Sequence, residues 1–308
     1  MANYPISKEF GIFRHFSPPI SPGFLRLAAK HMKPPRALWK ARDLTVETRQ
    51  VTSFDGAPFE VLVLTPKDAE GKLPCLIYLH GGGFVLEAAG YHYELAMRYA
   101  REVRCKVVFV QYRIAPEVCH PVFFEDCYAA FSWAYDSAEA LNIDRQRIGI
   151  GGDSAGSTLA VGVCMMARER NHPGRFCFQM LPYPYLDARG TSDSAKKYTD
   201  TPMWNSTLSS RVGNITKADR SNPNFVWYSP VEAERFDGLP PAYIETAEFD
   251  CLHDDGILYD KLLTHAGIQT ELNETKGTMH GYDIVLNASI TKASIARRIA
   301  FMKRHFYK

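Results

Sequence analysis

The sequence predicts an α/β fold: a mostly parallel central sheet with an antiparallel edge hairpin, helices on both faces, and a helical lid. Three observations predict it. From about residue 44, short apolar runs of strand length alternate with longer stretches of helical period. The links between successive runs are helix-sized, as crossovers between parallel neighbours must be. The chain has 308 residues, 46% of them apolar, enough for one large core with residues left for a lid.

The first two runs, Leu44 to Thr52 and Phe59 to Leu64, meet across Asp55-Gly56, a hairpin turn signal. Buried strands are expected at Pro74 to Leu79, Val107 to Gln111, Arg147 to Ile150, Phe178 to Leu181, Ala242 to Thr246 and Thr270 to Asn273. Helical patterns occupy residues 91 to 103, 123 to 140, 155 to 169, 254 to 266 and 290 to 306. The last places Ile295, Ile299, Met302 and Phe306 on one stripe, with Arg297, Arg298, Lys303 and Arg304 mostly off it. That reads as a closing helix packed on the sheet, in preference to one lying on a membrane surface.

Two stretches break the alternation. Residues 1 to 43 are rich in proline and carry Phe10, Phe13 and Phe16; residues 187 to 238 carry Trp204, Phe225, Trp227 and Tyr228. Loops this long are functional or disordered, and the aromatics argue against disorder. Both are read as parts of one lid. The expected organisation is therefore 1–43 as the amino-terminal part of the lid, 44–186 with 239–308 as the core domain, and 187–238 as an inserted lid segment.

With 36 basic and 34 acidic residues the chain has no field that would gather nucleic acid or an anionic surface. The expected partner is a small, roughly neutral molecule, with homo-oligomerisation left open. No run of eighteen apolar residues occurs, so no membrane span is expected. Seven cysteines are scattered singly, which fits neither a disulfide framework nor a zinc ribbon and suits a reduced, cytoplasmic protein.

The chemistry concentrates in a few segments. In Gly152-Asp153-Ser154-Ala155-Gly156, flanking glycines let the chain turn sharply between a strand and a helix, so that the Ser154 hydroxyl can project above the sheet edge. The bland alternative is a glycine-rich loop opening a helix. Upstream, His80-Gly81-Gly82-Gly83-Phe84 follows a strand directly. Consecutive glycines there leave backbone N–H groups able to approach a ligand and stabilise an oxyanion. A phosphate cradle is disfavoured because no Gly-Lys-Ser/Thr follows. His80 itself reads as a structural residue orienting its loop.

A serine nucleophile needs a base, and ten histidines compete. In open parallel sheets working residues lie beyond the carboxyl ends of strands, which selects His280. By the same rule Asp250, just past a late strand, is the expected orienting carboxylate. Asp254 and Asp255 are its rivals, although at a helix start they have an ordinary role against the helix dipole. The cluster Cys251, His253, Asp254 and Asp255 lacks the distant ligand a metal site needs, and neither metal nor cofactor is expected. Ser154, Asp250 and His280 stand in the nucleophile, acid, base order of α/β-hydrolases.

Four segments carry a specific resemblance: His80 to Phe84, Tyr112-Arg113-Ile114-Ala115-Pro116-Glu117, Gly152 to Gly156, and Asp250 with His280-Gly281. With them the chain, from about residue 45 onward, resembles the hormone-sensitive-lipase-like family of α/β-hydrolases in its microbial esterase branch. The resemblance implies a serine carboxylesterase acting on short-chain acyl esters through an acyl-enzyme. It also implies an oxyanion hole formed by the N–H groups of Gly82, Gly83 and Ala155. Phe84 and Ser157 are the expected substrate-binding residues. Ser157 stands where the family commonly has glycine and would narrow the space near the nucleophile; Cys251 stands where proline is usual after the acid. Arg113, Glu117 and Asp126 match family positions that are structural. Alternative activities on the same triad are deacetylation of acetylated sugars and, less favoured, a peptidase or amidase. A ligand-binding receptor on this fold is a further rival, which the presence of His280 disfavours.

Overall fold

Side chains that alternate along a strand can fill two cores at once, and the central strands do so. The structure is a computed structural model describing residues 4–308; the first three residues of the expected lid part lie outside the described residues. Strands β1 (Leu44–Thr52) and β2 (Pro58–Pro66) form the expected hairpin, followed by β3 (Leu73–Leu79), β4 (Lys106–Gln111), β5 (Ile143–Gly152), β6 (Phe176–Pro182), β7 (Ala242–Phe249) and β8 (Thr270–Met279). They make one sheet of order β1-β2-β4-β3-β5-β6-β7-β8. Strand β2 runs antiparallel to both its neighbours, and the pairings from β4 to β8 are parallel.

Among the described residues the helices are α1 (Pro22–His31), α2 (Arg36–Trp39), α3 (Gly90–Val103), α4 (Val122–Asp136), α5 (Ala155–Glu169), α6 (Asp193–Lys197), α7 (Ser206–Thr216), α8 (Phe225–Tyr228), α9 (His253–His265) and α10 (Ser289–Phe306). On β3, Cys75, Ile77 and Leu79 join one buried cluster with residues of α4, α5 and α9. Leu76 and Tyr78, one residue out of phase, join a second with residues of α3 and α10. Each face of the sheet is thus sealed by its own helices, and the site falls at the open ends of the strands.

Predicted strands proved too short where they turn polar. Strand β8 continues through Glu274, Thr275 and Lys276 to Met279, because an edge strand with one partner exposes much of its surface. Arg298 is a second departure. Placed mostly off the apolar stripe of α10, it is in fact fully buried, since it lies three residues from Ile295 and four from Met302 and so shares their face. Its guanidinium is matched by Glu245 and by Asp283, the latter at 2.5 Å.

The two stretches outside the alternation pack on one another. Tyr4 Oη donates to Asp200 Oδ1 at 2.7 Å, Met203 N–H donates to the Phe16 carbonyl at 2.6 Å, and Ser17 Oγ reaches the Thr201 carbonyl at 3.4 Å. The amino-terminal segment is also tied to the sheet, through Ser7 N–H to the Gly277 carbonyl and Phe10 buried against Tyr282.

Candidate active site

The turn after β5 is built by close backbone approach. A Cβ on Gly152 would lie 2.0 Å from the Leu79 carbonyl oxygen, and one on Gly156 would lie 2.1 Å from it. Only glycine fits at either position, and the tightness of the bend appears in Ser154, whose φ of 56° and ψ of −121° are strained for a residue with a side chain. A hydrogen bond from Ser154 N–H to the Pro182 carbonyl at 3.0 Å pins the turn over β6.

Strand ends deliver the remaining groups. Asp250 follows β7 directly and His280 follows β8 directly. Ser154 Oγ lies 2.7 Å from His280 Nε2, and His280 Nδ1 lies 2.7 Å from Asp250 Oδ2. The second carboxylate oxygen of Asp250 accepts the Leu252 N–H at 2.9 Å. All three side chains are buried. With its proton on Nδ1, facing the carboxylate, the imidazole presents Nε2 as an acceptor to the serine hydroxyl. The edge of Tyr183 and the ring of Trp204 flank it at 5.0 and 6.0 Å.

Beside Ser154 the glycine run after β3 adopts left-handed backbone at Gly82, Gly83 and Phe84 (φ 123°, 62° and 62°). The N–H groups of Gly82, Gly83 and Ala155 donate to no acceptor among the described residues. They are therefore available to an oxygen held over the serine. His80 orients this loop from below: Nδ1 meets the Gly81 carbonyl at 2.8 Å, the ring stacks on Tyr112 at 4.3 Å, and Tyr112 Oη donates to the His80 carbonyl at 2.7 Å. Burial, reinforced by nearby His92, pushes its imidazole down to about 3, so it stays neutral.

Asp153, which sequence reasoning passed over, lies under both loops. Its carboxylate accepts Tyr78 Oη at 2.9 Å and meets His92 Nε2 at 3.0 Å. Gly81 packs so closely on it that a Cβ would come within 2.4 Å of Oδ2. Burial by itself would raise its pKa; attraction to His92 and the hydrogen bonds from His92 and Tyr78 prevail and hold the carboxyl at about 2. Nothing in the linear sequence marks a pairing that spans 61 residues.

One expectation changes. Ser157 does not narrow the space over the nucleophile: it is fully buried, and its hydroxyl donates to the Gly152 and Pro182 carbonyls at 2.5 and 3.2 Å. One turn into α5 its side chain points at the strand ends, away from the cavity, where it fastens the turn. Asp254 and Asp255, the rivals of Asp250, are also engaged elsewhere. Asp254 accepts the Ser194 N–H, and Asp255 accepts those of Leu186 and Asp187. Arg113 bridges Asp126 and Asp55.

A narrow cavity opens at Ser154 and Ala155, lined by Gly83 and Phe84 and closed by Tyr185, Trp204, Ser209, Val212, Tyr228 and Leu252. Phe84 is among its lining residues, its ring stacked on Phe123 at 4.9 Å. The insertion supplies Trp204, Ser209, Val212 and Tyr228; among the described residues, none before residue 44 lines it. The insertion's aromatics divide, for Trp227 packs against Phe124 and bonds Glu169 instead. Ser209, Val212 and Leu252 carried no signal in the sequence, because a wall made of small and aliphatic side chains from two separate segments reads as ordinary core.

Comparison with known proteins gives a consistent picture. A family model described as alpha/beta hydrolase fold matches residues 76–284. Carboxylesterase NlhH of Mycobacterium tuberculosis is 34% identical over 270 residues, covering 85% of this chain and 83% of that protein. Ethyl acetate hydrolase of Pseudomonas putida is 31% identical over 249 residues, covering 78% and 74%. A solved structure of bacterial heroin esterase matches with a TM-score of 0.87 at 28% identity, over 99% of each chain.

Proposed function

The chain belongs to the hormone-sensitive-lipase-like family of α/β-hydrolases, and from that membership we propose that it is a carboxylesterase whose nucleophile is Ser154. The observation that carries the reading is the continuous relay of Ser154, His280 and Asp250, with both hydrogen bonds at 2.7 Å. His280 Nε2 takes the hydroxyl proton as Ser154 Oγ attacks the ester carbonyl. Asp250 holds the imidazole tautomer and offsets the positive charge the ring acquires. The carbonyl oxygen, now an oxyanion, is received by the N–H groups of Gly82, Gly83 and Ala155. Collapse breaks the bond to the alcohol, which leaves with the proton from His280. Water then enters, loses a proton to His280 and attacks the acyl carbon, and the acid departs as Ser154 recovers its proton.

Short acyl groups fit this reading best, because the cavity at the serine is narrow and closed by Trp204, Tyr228 and Leu252. The insertion, with the amino-terminal segment braced against it, serves as the lid. Among the described residues no helix is long and apolar enough to cross a membrane. A cytoplasmic location belongs to the same proposal, supported by seven unpaired cysteines. The test is turnover of p-nitrophenyl acetate and butyrate by Ser154→Ala, together with labelling by a fluorophosphonate probe. Loss of both is expected. Turnover within a few-fold of the parent would overturn the assignment of the nucleophile.

A further inference from the structure

Beside the cavity at Ser154 lies a second, larger chamber of about 490 Å³, open to solvent and edged by polar groups such as Arg189, Ser206, Asn214 and Arg220. The two spaces share four lining residues, Tyr185, Ser209, Tyr228 and Leu252. A residue that lines both spaces belongs to the partition between them.

Three of the four are fastened. Tyr228 Oη is bonded to Thr216 Oγ1 at 3.1 Å, Ser209 Oγ accepts Trp204 Nε1 at 2.8 Å, and the Tyr185 ring packs edge-on against Tyr228 at 5.6 Å. Leu252 differs, since its only hydrogen bond to a side chain is made by its backbone, N–H to Asp250 Oδ1. Any residue except proline would keep that bond, so its side chain can vary without releasing the acid.

The side of the ester that meets this wall follows from the proton path. The departing alcohol must be reached by His280, and neither His280 nor Asp250 lines the inner cavity. The group inside it is therefore the acyl chain. We infer that Leu252 is the specificity-determining residue that ends the acyl pocket, and that shortening it joins the pocket to the outer chamber so that longer acyl chains pass through. This rests on the reading of Ser154 as the nucleophile.

The experiment compares kcat/KM on p-nitrophenyl esters from acetate to decanoate for the parent, Leu252→Val and Leu252→Ala, with Ser154→Ala as the blank. The ratio of octanoate to butyrate is expected to rise about tenfold or more in Leu252→Ala, the scale of discrimination a closed apolar pocket exerts per methylene. Leu252→Val should move it the same way by less, and reports alone if the alanine variant does not fold. A third arm adds Gly213→Phe to the shortened variant. Gly213 lines only the outer chamber, and a Cβ there meets nothing within 4 Å. A phenyl group in that space should return the ratio toward the parent's. An unchanged ratio in both Leu252 variants, or a gain that Gly213→Phe leaves intact, overturns the partition while Ser154-dependent turnover stands. Hydrolysis that persists in Ser154→Ala instead overturns the underlying reading of the site.

Discussion

Asp250 is held on both oxygens, one by the Leu252 N–H and one by His280 Nδ1, so it fixes which nitrogen of the imidazole bears the proton. Asp250→Asn keeps the shape but can present an N–H where an acceptor is needed, turning the ring to the wrong tautomer. A fall in kcat on the order of 10⁴ is expected, as such replacements give in other triads; a loss under tenfold on p-nitrophenyl acetate would show that the carboxylate is not needed there. His80 yields a prediction about pH. Its folded-state value, about 3, is depressed below the ordinary value of roughly 6.5, so below that pH the unfolded chain binds a proton the native state refuses. Its contribution to stability is intact above pH 6.5 and declines as pH falls, by about 1.4 kcal/mol per unit down to the folded value. Between pH 7 and 5 that amounts to about 2 kcal/mol. His80→Phe, which retains an aromatic surface to stack on Tyr112, should lose less stability over the same interval when urea unfolding is followed at both pH values. Equal losses would mean that His80 titrates in the folded protein. At this scale the sequence was legible where position after a strand decides, as for Ser154, Asp250, His280 and the glycine run. It was not legible where a side chain's direction decides, as Ser157 and Asp153 show.

Strand β5, its turn and α5 act as one unit, because the glycines let β3 and α5 meet over the Leu79 carbonyl. Gly152→Ala would drive a methyl into that oxygen at 2.0 Å, and a paired strand backbone cannot step aside. A loss of at least about 2 kcal/mol in urea unfolding is expected, with activity falling further as Ser154 tilts away from His280. Gly213→Ala, in α7, is the counterpart: its Cβ finds open space. Replacing a mid-helix glycine there should stabilise by roughly 0.5–1 kcal/mol. Similar effects from the two variants would refute the claim that close approach, and not helix propensity, selects glycine at the elbow. The strands and helices of the core were readable since each buries an apolar period that its own sequence displays. The short helices α6, α7 and α8 were not: α6 and α8 span five and four residues, too few for a period to declare itself, and their position is set by contacts with the core.

Across the whole molecule, one buried cluster joins the last helix to the end of the sheet that carries His280. Arg298 of α10 binds Glu245 of β7 and Asp283, three residues beyond His280. Tyr183 Oη, whose ring flanks His280, donates to the same Asp283 at 3.1 Å. Two carboxylates facing one guanidinium cannot both be charged at low cost. Burial drives the Asp283 carboxyl upward, while for Glu245 the attraction of Arg298 and hydrogen bonds from Arg298, Tyr282 and Tyr243 outweigh burial and keep it low. Glu245 is thus the carboxylate that Arg298 holds most firmly in its charged form. The sequence placed Arg298 mostly off the packed stripe, and no local pattern could reveal a partner 53 residues away. Removing the cation strands a buried anion: Arg298→Met should cost about 3–5 kcal/mol in chemical unfolding. Adding Glu245→Gln removes that anion as well, so the double variant should recover part of the loss, as replacement of a whole buried pair often does. Recovery distinguishes an electrostatic clamp from simple packing, because loss of side-chain volume alone would make the double variant at least as unstable as the single one. Since Asp283 shares its turn with His280, kcat on p-nitrophenyl acetate should fall in Arg298→Met even at temperatures where the variant remains folded by circular dichroism. Unaltered kcat under those conditions would confine the cluster to stability and detach it from the placement of the base.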